Sequence, residues 1–441
     1  MQLAERIADK TAKLVVIGLG YVGLPVAARF AQVGFHVTGL DVDEGKVAQV
    51  NAAQCPIEGD EPGLAELVAD VVAAGRLCAM VDYTVCRKAD IVLIAVETPI
   101  DSVRQPRYRA LRSALRSLQP NLKPGAMVIV ESTIAPGTIE RLVRPTLEAH
   151  GRYASGRDFY LVHCPERVMP GKLLENLARM SRVVGGDTPA AAGLAQMFYR
   201  HIVDADLDLA DCVTAELVKT AENAYRDVQI AFANELALIC EQVCADVWQV
   251  RKLVNKSPGR EVLYPGAGVG GHCIPKDPWL LAYGARDAIA AKLIPAAREI
   301  NDYMPLHVAE LTVDALAEAD VEIEEARIAV LGYAYLEDSD DTRNSPSIPL
   351  INRLEELGAK VVVHDPWVRE FQGDLEGCLR GCDAVVLMVA HQVYRRAALE
   401  QWKALVRHPV LVDGRHVFSG ARAGGWVYRG VGVGDVRPGL A

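Results

Sequence analysis

From the N-terminus to about Asp208, short apolar runs bounded by polar residues alternate with longer stretches of helical periodicity. Parallel strands buried on both faces read as near-continuous apolar runs, so this alternation predicts a parallel sheet with crossover helices. Lys13–Ile17 reads as the first strand, and a helix follows over residues 24–33. His36–Leu40, Ile91–Val96, Met127–Val130 and Phe159–Val162 read as further strands. The shorter runs Arg182–Val184 and His201–Val203 are candidates for the last ones.

The pattern changes after Asp208. Residues 211–254 contain no Gly or Pro and are rich in Ala, Glu, Leu and Val, which predicts one long helix or two abutting ones. Its apolar positions include Leu217, Val218, Ala221, Tyr225, Val228, Phe232, Leu236 and Ile239, and so long a helix in mid-chain suits a domain or subunit interface. A Gly-rich loop, 264–271, is followed by a second helical region to about Ala319. Arg327–Leu331 then opens another α/β unit. Ser345-Pro346 suits a helix start and Gly358 its end. Lys360–His364, Ala384–Val389 and Val410–Val412 read as three more strands. The expected division is 1–208, 209–319 and 320–441: two doubly wound α/β domains joined by a long central helical region.

Half of the 441 residues are apolar and the net charge is −10, which suits a soluble globular protein and argues against a nucleic-acid-binding surface. No apolar run is long enough to span a bilayer and the first residues lack a signal-peptide core, so the expectation is a cytoplasmic protein without a membrane partner. Of ten cysteines, the pairs Cys240/Cys244 and Cys378/Cys382 extend into no zinc pattern, and no metal site is expected.

Three constellations carry chemistry. Gly18-Leu19-Gly20-Tyr21-Val22-Gly23 lies between a strand and a helix. In such a fingerprint Gly18 permits a tight turn, Gly20 lets a pyrophosphate approach the backbone, and Gly23 permits close helix–strand packing. Asp41 ends the next apolar run, where its carboxylate accepts bonds from a ribose 2′-hydroxyl and repels a 2′-phosphate. The implied fold is Rossmann-like and the implied cofactor NAD. In Pro265–Asp277, four glycines would let a ligand come close, and a thiol, Cys273, follows beside His272 and Lys276, whose charge would favour the thiolate. Local composition leaves open a buried structural cysteine after a flexible loop. Lys219, Asn223 and Arg226, spaced i, i+4, i+7, share one helix face and are able to polarise a sugar oxygen and hold a water, or to form a merely solvated face.

Together these motifs resemble the UDP-glucose/GDP-mannose dehydrogenase family. The likeness runs in order through Gly18–Gly23, Thr98-Pro99, Glu131-Ser132-Thr133, Pro165-Glu166, Lys219 with Asn223, Gly266–Asp277 and Asp340–Pro346. It implies an NAD-binding domain, a central helical dimerisation region, and a C-terminal domain that binds the nucleotide of a UDP-sugar. Within the family, Pro165–Gly171, including Pro170, and Gly270–Cys273 are most similar to the N-acetylhexosamine branch. UDP-N-acetylmannosamine is then the first substrate and UDP-N-acetylglucosamine or UDP-glucose the alternatives.

The resemblance implies a four-electron oxidation of the C6 alcohol to the acid through a Cys273 thiohemiacetal and thioester. Lys219 and Asn223 would assist proton removal and stabilise oxyanions, Glu166 would orient the hydrolytic water, and Asp277 would fix Lys219 or a water. Gly18, Gly20, Tyr21, Val22, Gly23, Asp41, Lys46, Thr98, Thr133 and Arg343 would hold the cofactor. Arg167, Val168, Lys219, Asn223, Arg226, Arg260, Gly271, Tyr335 and Arg415 would hold the sugar nucleotide. Two residues depart from the family pattern. Leu336 stands where a Lys is usual, removing a charge-assisted bond worth about 1.5–3 kcal/mol from a diphosphate site. Glu97 stands where Pro is usual. Two other readings are a related dehydrogenase oxidising a secondary alcohol to a ketone, and a nucleotide-sugar-binding regulatory protein without turnover.

Overall fold

The computed structural model describes residues 2–57, 59, 61–169, 171–421 and 424–434; Pro170 lies outside them. The chain divides into two compact units, residues 1–222 with 279–290 and residues 223–278 with 291–441. Among the described residues no helix is long and apolar enough to cross a membrane.

The first unit is built on strands β1 (Lys13–Ile17), β2 (His36–Leu40), β3 (Leu77–Met80), β4 (Ile91–Ile94), β5 (Met127–Val130), β6 (Tyr160–His163), β7 (Arg182–Gly186) and β8 (Leu207–Asp211). They form one sheet in the order β3-β2-β1-β4-β5-β6-β7-β8. All neighbours are parallel except β6 and β7. Every residue of β4 and β5 is buried, because apolar clusters cover both faces of the sheet. Helices α1 (Gly23–Gln32) and α2 (Arg109–Leu118) belong to opposite covers. The strand order reverses at β1/β4, and in open α/β sheets ligands bind outside the carboxyl ends of the strands at that point.

Helix α3 (Cys212–Gln242) starts in the first unit and continues into the second. It breaks where Cys244 takes φ 58°, and α4 (Val247–Val254) restarts with Asp246 accepting the Trp248 N–H at 2.7 Å. Of the two alternatives for 211–254, two abutting helices is therefore the observed one. Helices α5 (Asp277–Gly284) and α6 (Leu293–Glu318) follow.

The second unit carries an all-parallel sheet of β9 (Arg327–Leu331), β10 (Lys360–His364), β11 (Ala384–Leu387), β12 (Val410–Asp413) and β13 (Val427–Gly430) in the order β10-β9-β11-β12-β13. Apolar clusters again cover both faces, so both units are Rossmann-like. Helix α7 (Ser347–Glu356) is started by Ser345, whose Oγ accepts the Ser347 N–H at 3.1 Å, and Gly358 at φ 94° ends it.

Three strands differ from expectation. His201–Val203 is the turn that closes the helix Pro189–Tyr199, with the Ile202 and Val203 N–H groups donating to Tyr199 O. Its apolar side chains are buried by that turn. The strand itself is β8, an edge strand in which only Leu207 is buried, and so with little apolar signal. β3 and β13 are short edge strands of the same kind.

Candidate functional site

The cofactor candidates of the first unit lie at or just beyond the carboxyl ends of β1, β2, β4 and β5, and Arg343 lies in the second unit. Gly18 has φ 93°, and a Cβ there would lie 2.6 Å from Ala95 O; one on Gly23 would lie 1.8 Å from Gly18 O. These two glycines are dictated by packing. A Cβ on Gly20 would meet nothing within 4 Å, leaving open space beside the start of α1, where no side chain caps the first amides. Asp41 ends this arc: its Oδ2 accepts the Leu19 N–H at 2.8 Å and its Oδ1 the Asp43 N–H at 3.0 Å. Each oxygen retains a lone pair for a ribose hydroxyl. Thr98 Oγ1 donates to Thr133 O at 2.6 Å, tying the two buried threonines together. Lys46 is half-buried on the helix Glu44–Asn51, next to this edge of the sheet, and Val22 caps α1. Tyr21 donates its hydroxyl to Glu61, whose carboxylate also accepts the Gly171 N–H at 2.8 Å. Open backbone at a helix start with a carboxylate at the neighbouring strand end fits NAD. Glu97 is exposed.

The proton-handling candidates of the first unit are buried together. Glu166 Oε1 lies 3.8 Å from Lys219 Nζ, and Glu166 Oε2 accepts the Val168 N–H at 2.6 Å. One turn along α3, Glu222 holds Arg167 through bonds of 3.0 and 2.9 Å, and Arg167 also donates to Ser181 O at 2.7 Å. The segment that begins at Pro165 is thus stapled to α3 at two points.

In the second unit Asp277 is fully buried and accepts from Asn223 Nδ2 and Lys276 Nζ, each at 2.6 Å. The Cys273 carbonyl accepts the N–H groups of Lys276 and Asp277, which fixes the thiol's residue at the start of α5. Cys273 itself is half-buried. The electrostatics differ from the sequence expectation. Burial, with Lys276 and Arg343 nearby, lowers the His272 pKa and favours the neutral imidazole, and Lys276 is engaged by Asp277. Arg343 is a further cation within electrostatic reach of the thiol, held bidentately by Asp341 at 2.9 and 2.5 Å.

The loop glycines also have a different use from the one expected. A Cβ on Gly270 would lie 2.5 Å from Tyr335 Cβ, and one on Gly271 2.8 Å from the Tyr335 ring. Gly271 donates to Arg343 O at 2.8 Å and its carbonyl accepts from Asn344 at 2.9 Å. These glycines seat the Cys273 loop on the 335–344 segment, which leaves the carboxyl end of β9. Burial pushes the Tyr335 hydroxyl up to about 12, so it remains a donor. Leu336, beside it, is 40% exposed. Arg415 follows β12 and donates to Met388 O at 2.7 Å, after β11. Tyr335, Arg343 and Arg415 thereby share one end of the second sheet. Arg226 and Arg260 are exposed and join no side-chain hydrogen bond or ion pair among the described residues.

Sequence reasoning missed several supports of these residues. Glu131 and Arg182 form a buried ion pair at 2.5 Å below Ser132-Thr133. Glu216, one turn before Lys219 and Thr220, accepts the Gly137 and Ile139 N–H groups at 2.5 and 2.8 Å, and burial pushes its carboxyl up to about 7. Asp365 accepts the N–H groups of Tyr333 and Ala334 at 2.6 and 2.9 Å and contacts His391 at 3.1 Å, fixing the root of the Tyr335 loop. A buried charge in an apolar context was the available signal; the partner was not.

Three domains of the UDP-glucose/GDP-mannose dehydrogenase family match the chain: the NAD binding domain over 12–203, the central domain over 213–303 and the UDP binding domain over 329–420. A UDP-N-acetyl-D-mannosamine dehydrogenase of Pyrococcus horikoshii is 38% identical over 424 residues, 96% of this chain and all of that one. A solved structure of UDP-D-ManNAc dehydrogenase from Pyrococcus horikoshii superposes with a TM-score of 0.91 at 38% identity, covering 96% of this chain and 100% of that chain. An NDP-N-acetyl-D-galactosaminuronic acid dehydrogenase of Ralstonia nicotianae is 36% identical over 92% of this chain and 96% of its own length.

Proposed function

The chain belongs to the UDP-glucose/GDP-mannose dehydrogenase family, and on that premise we propose that it oxidises the C6 alcohol of a UDP-N-acetylhexosamine, UDP-N-acetylmannosamine first, to the uronic acid. It is an NAD-dependent nucleotide-sugar dehydrogenase. The choice of sugar is carried by one observation: 38% identity along 96% of the chain to an N-acetylmannosamine enzyme. Arg167–Gly171 and His272 support it. A panel of UDP-sugars assayed for NADH formation is expected to give the highest kcat/KM with UDP-N-acetylmannosamine and the next with UDP-N-acetylglucosamine. UDP-glucose in first place would overturn the assignment to this branch.

NAD, when bound, is the electron sink, taking two electrons as hydride at each of two oxidations. Gly20, the start of α1 and Asp41 would hold its pyrophosphate and ribose, with Tyr21, Lys46, Thr98, Thr133 and Arg343 as further contacts. Lys219, or a water that it holds with Asn223, takes the C6 hydroxyl proton. Cys273 Sγ then adds to the aldehyde carbon, a C–S bond forms, and the carbonyl oxygen gains a proton. Loss of a hydride and that proton leaves a thioester on Cys273. Water positioned by Glu166 attacks the thioester carbon, the C–S bond breaks, and the thiolate leaves. The balance is alcohol, water and two NAD⁺ to carboxylate, two NADH and three protons. Asn223, oriented by Asp277, and Lys219 stabilise the developing oxyanions. Arg167, Val168, Arg226, Arg260, Gly271, Tyr335 and Arg415 are assigned to the sugar nucleotide. The functional division follows 1–208 for the cofactor, 209–319 for catalysis and dimerisation, and 320–441 for UDP.

The proposed assembly is a homodimer through α3. Tyr225, Phe232 and Ile239 recur every seven residues and are 66, 56 and 53% exposed, a stripe that a partner helix would cover. Light scattering is expected to give twice the chain mass, and Phe232→Glu with Ile239→Glu to give the single-chain mass. A dimer surviving both changes would exclude this face. All ten cysteines are free thiols, which suits a reducing compartment, and the cytoplasm is the proposed location.

A further inference from the structure

Helix α2 presents an unusual polar face. Arg109, Arg112 and Arg116, at i, i+3 and i+7, lie on one side of it, and Arg107 lies just before its N-cap, Tyr108. All four are exposed, and they line a single open groove of about 560 Å³ together with Ser113 and Ser117. Among the described residues none of the four is in an ion pair with a carboxylate, in a chain whose net charge is −10.

This arrangement works against the helix that carries it. Arg109 and Arg112 stand in the first turn, which contains no acidic residue, and cations there oppose the helix dipole. Like charges three and four residues apart also repel. An anion in the groove relieves both penalties, using guanidinium forks that match phosphate oxygens bidentately and serine hydroxyls that donate alongside them. The floor of the groove is formed. Tyr108 is buried, and its hydroxyl accepts the Ala135 N–H at 2.7 Å and meets Thr138 Oγ1 at 3.1 Å. The Arg107 N–H donates to Pro99 O at 2.7 Å, which fixes the approach to α2.

We propose that this groove is a second anion site, separate from the Gly18–Gly23 cradle, for a compact polyphosphate such as a nucleoside triphosphate or an inorganic polyphosphate. The size of the ligand follows from the charge balance. Screening confines the groove's field to about 8 Å at physiological ionic strength, so a small anion feels four arginines. An extended anionic surface or a nucleic acid meets the acidic remainder of the chain as well.

Inorganic tripolyphosphate is the probe, titrated calorimetrically into the intact protein with saturating UDP and NAD present to occupy the sites of the family reaction. Saturable binding is expected. The Arg112→Gln/Arg116→Gln variant should weaken it at least tenfold while NADH formation from the UDP-sugar stays unchanged, which also reports correct folding. Arg109→Gln provides a second, single-site variant with a smaller loss in the same direction. Equal tripolyphosphate affinity in wild type and variants, or no saturable binding to the wild type, would overturn the proposal. So would arginine-dependent capture by phosphatidylglycerol vesicles, or by single-stranded DNA, without tripolyphosphate binding.

Discussion

Cys273→Ala is expected to lose acid formation by several orders of magnitude while still binding both UDP-sugar and NAD. Taking an alcohol to an acid removes four electrons, and each NAD accepts two, so an aldehyde must persist between the two transfers. Addition of a thiolate holds that aldehyde and leaves a carbon able to give up the second hydride. Removing a residue that acts within a catalytic unit collapses the rate instead of shaving it. The structure gives the thiol a fixed backbone, through the Cys273 carbonyl and the N–H groups of Lys276 and Asp277, and places Arg343 within electrostatic reach. Cys273→Ser separates the steps further. It should fail mainly after the first oxidation, and a slow ester adduct would be visible by intact-protein mass. Full turnover by Cys273→Ala with two NADH per sugar would refute the covalent route.

Arg182→Met is expected to destabilise the first unit strongly. Arg182 and Glu131 are 2 and 0% exposed in their side chains and meet at 2.5 Å. Burial pushes the Glu131 carboxyl up, and the Arg182 charge and hydrogen bond oppose that. Leaving one member of a buried pair without the other costs about 3–5 kcal/mol. For a unit of this size that corresponds to a fall in Tm of roughly 6–20 °C. Because Ser132 and Thr133 follow Glu131 directly, NAD binding should weaken as well. Glu131→Gln combined with Arg182→Met should recover most of the loss, since replacing both partners removes the stranded charge. A single variant melting with the wild type would contradict this assignment.

The sequence was most informative where burial is two-sided or a motif is local. β1, β2, β5 and β9 run over the expected residues because strands inside a parallel sheet are largely apolar with polar flanks, and the edge strand β10 does so because its three valines are bounded by Lys360 and His364. The short edge strands β3, β8 and β13 lack that contrast, and the apolar turn at His201–Val203 imitates it. The Gly18–Gly23 fingerprint and Asp41 were legible for the same reason: turn, helix start and strand end lie within a short stretch of chain. The partners were not legible. Asn223 and Asp277 are 54 residues apart, Arg182 and Glu131 51, and Glu216 and Gly137 79. Nothing in local composition specifies which buried charge a given group will meet. The Gly-rich loop shows a subtler limit. Its glycines suggested room for a ligand, but at Gly270 and Gly271 the space is taken by Tyr335. The residue type correctly signalled close approach without saying of what.

Oxidation at C6 through Cys273 is a four-electron reaction. The most direct test is the amount of NADH formed per UDP-N-acetylmannosamine consumed, measured at completion together with the mass of the product. Two NADH for each sugar and a carboxylate product are predicted. One NADH for each sugar and a ketone product would contradict the four-electron route.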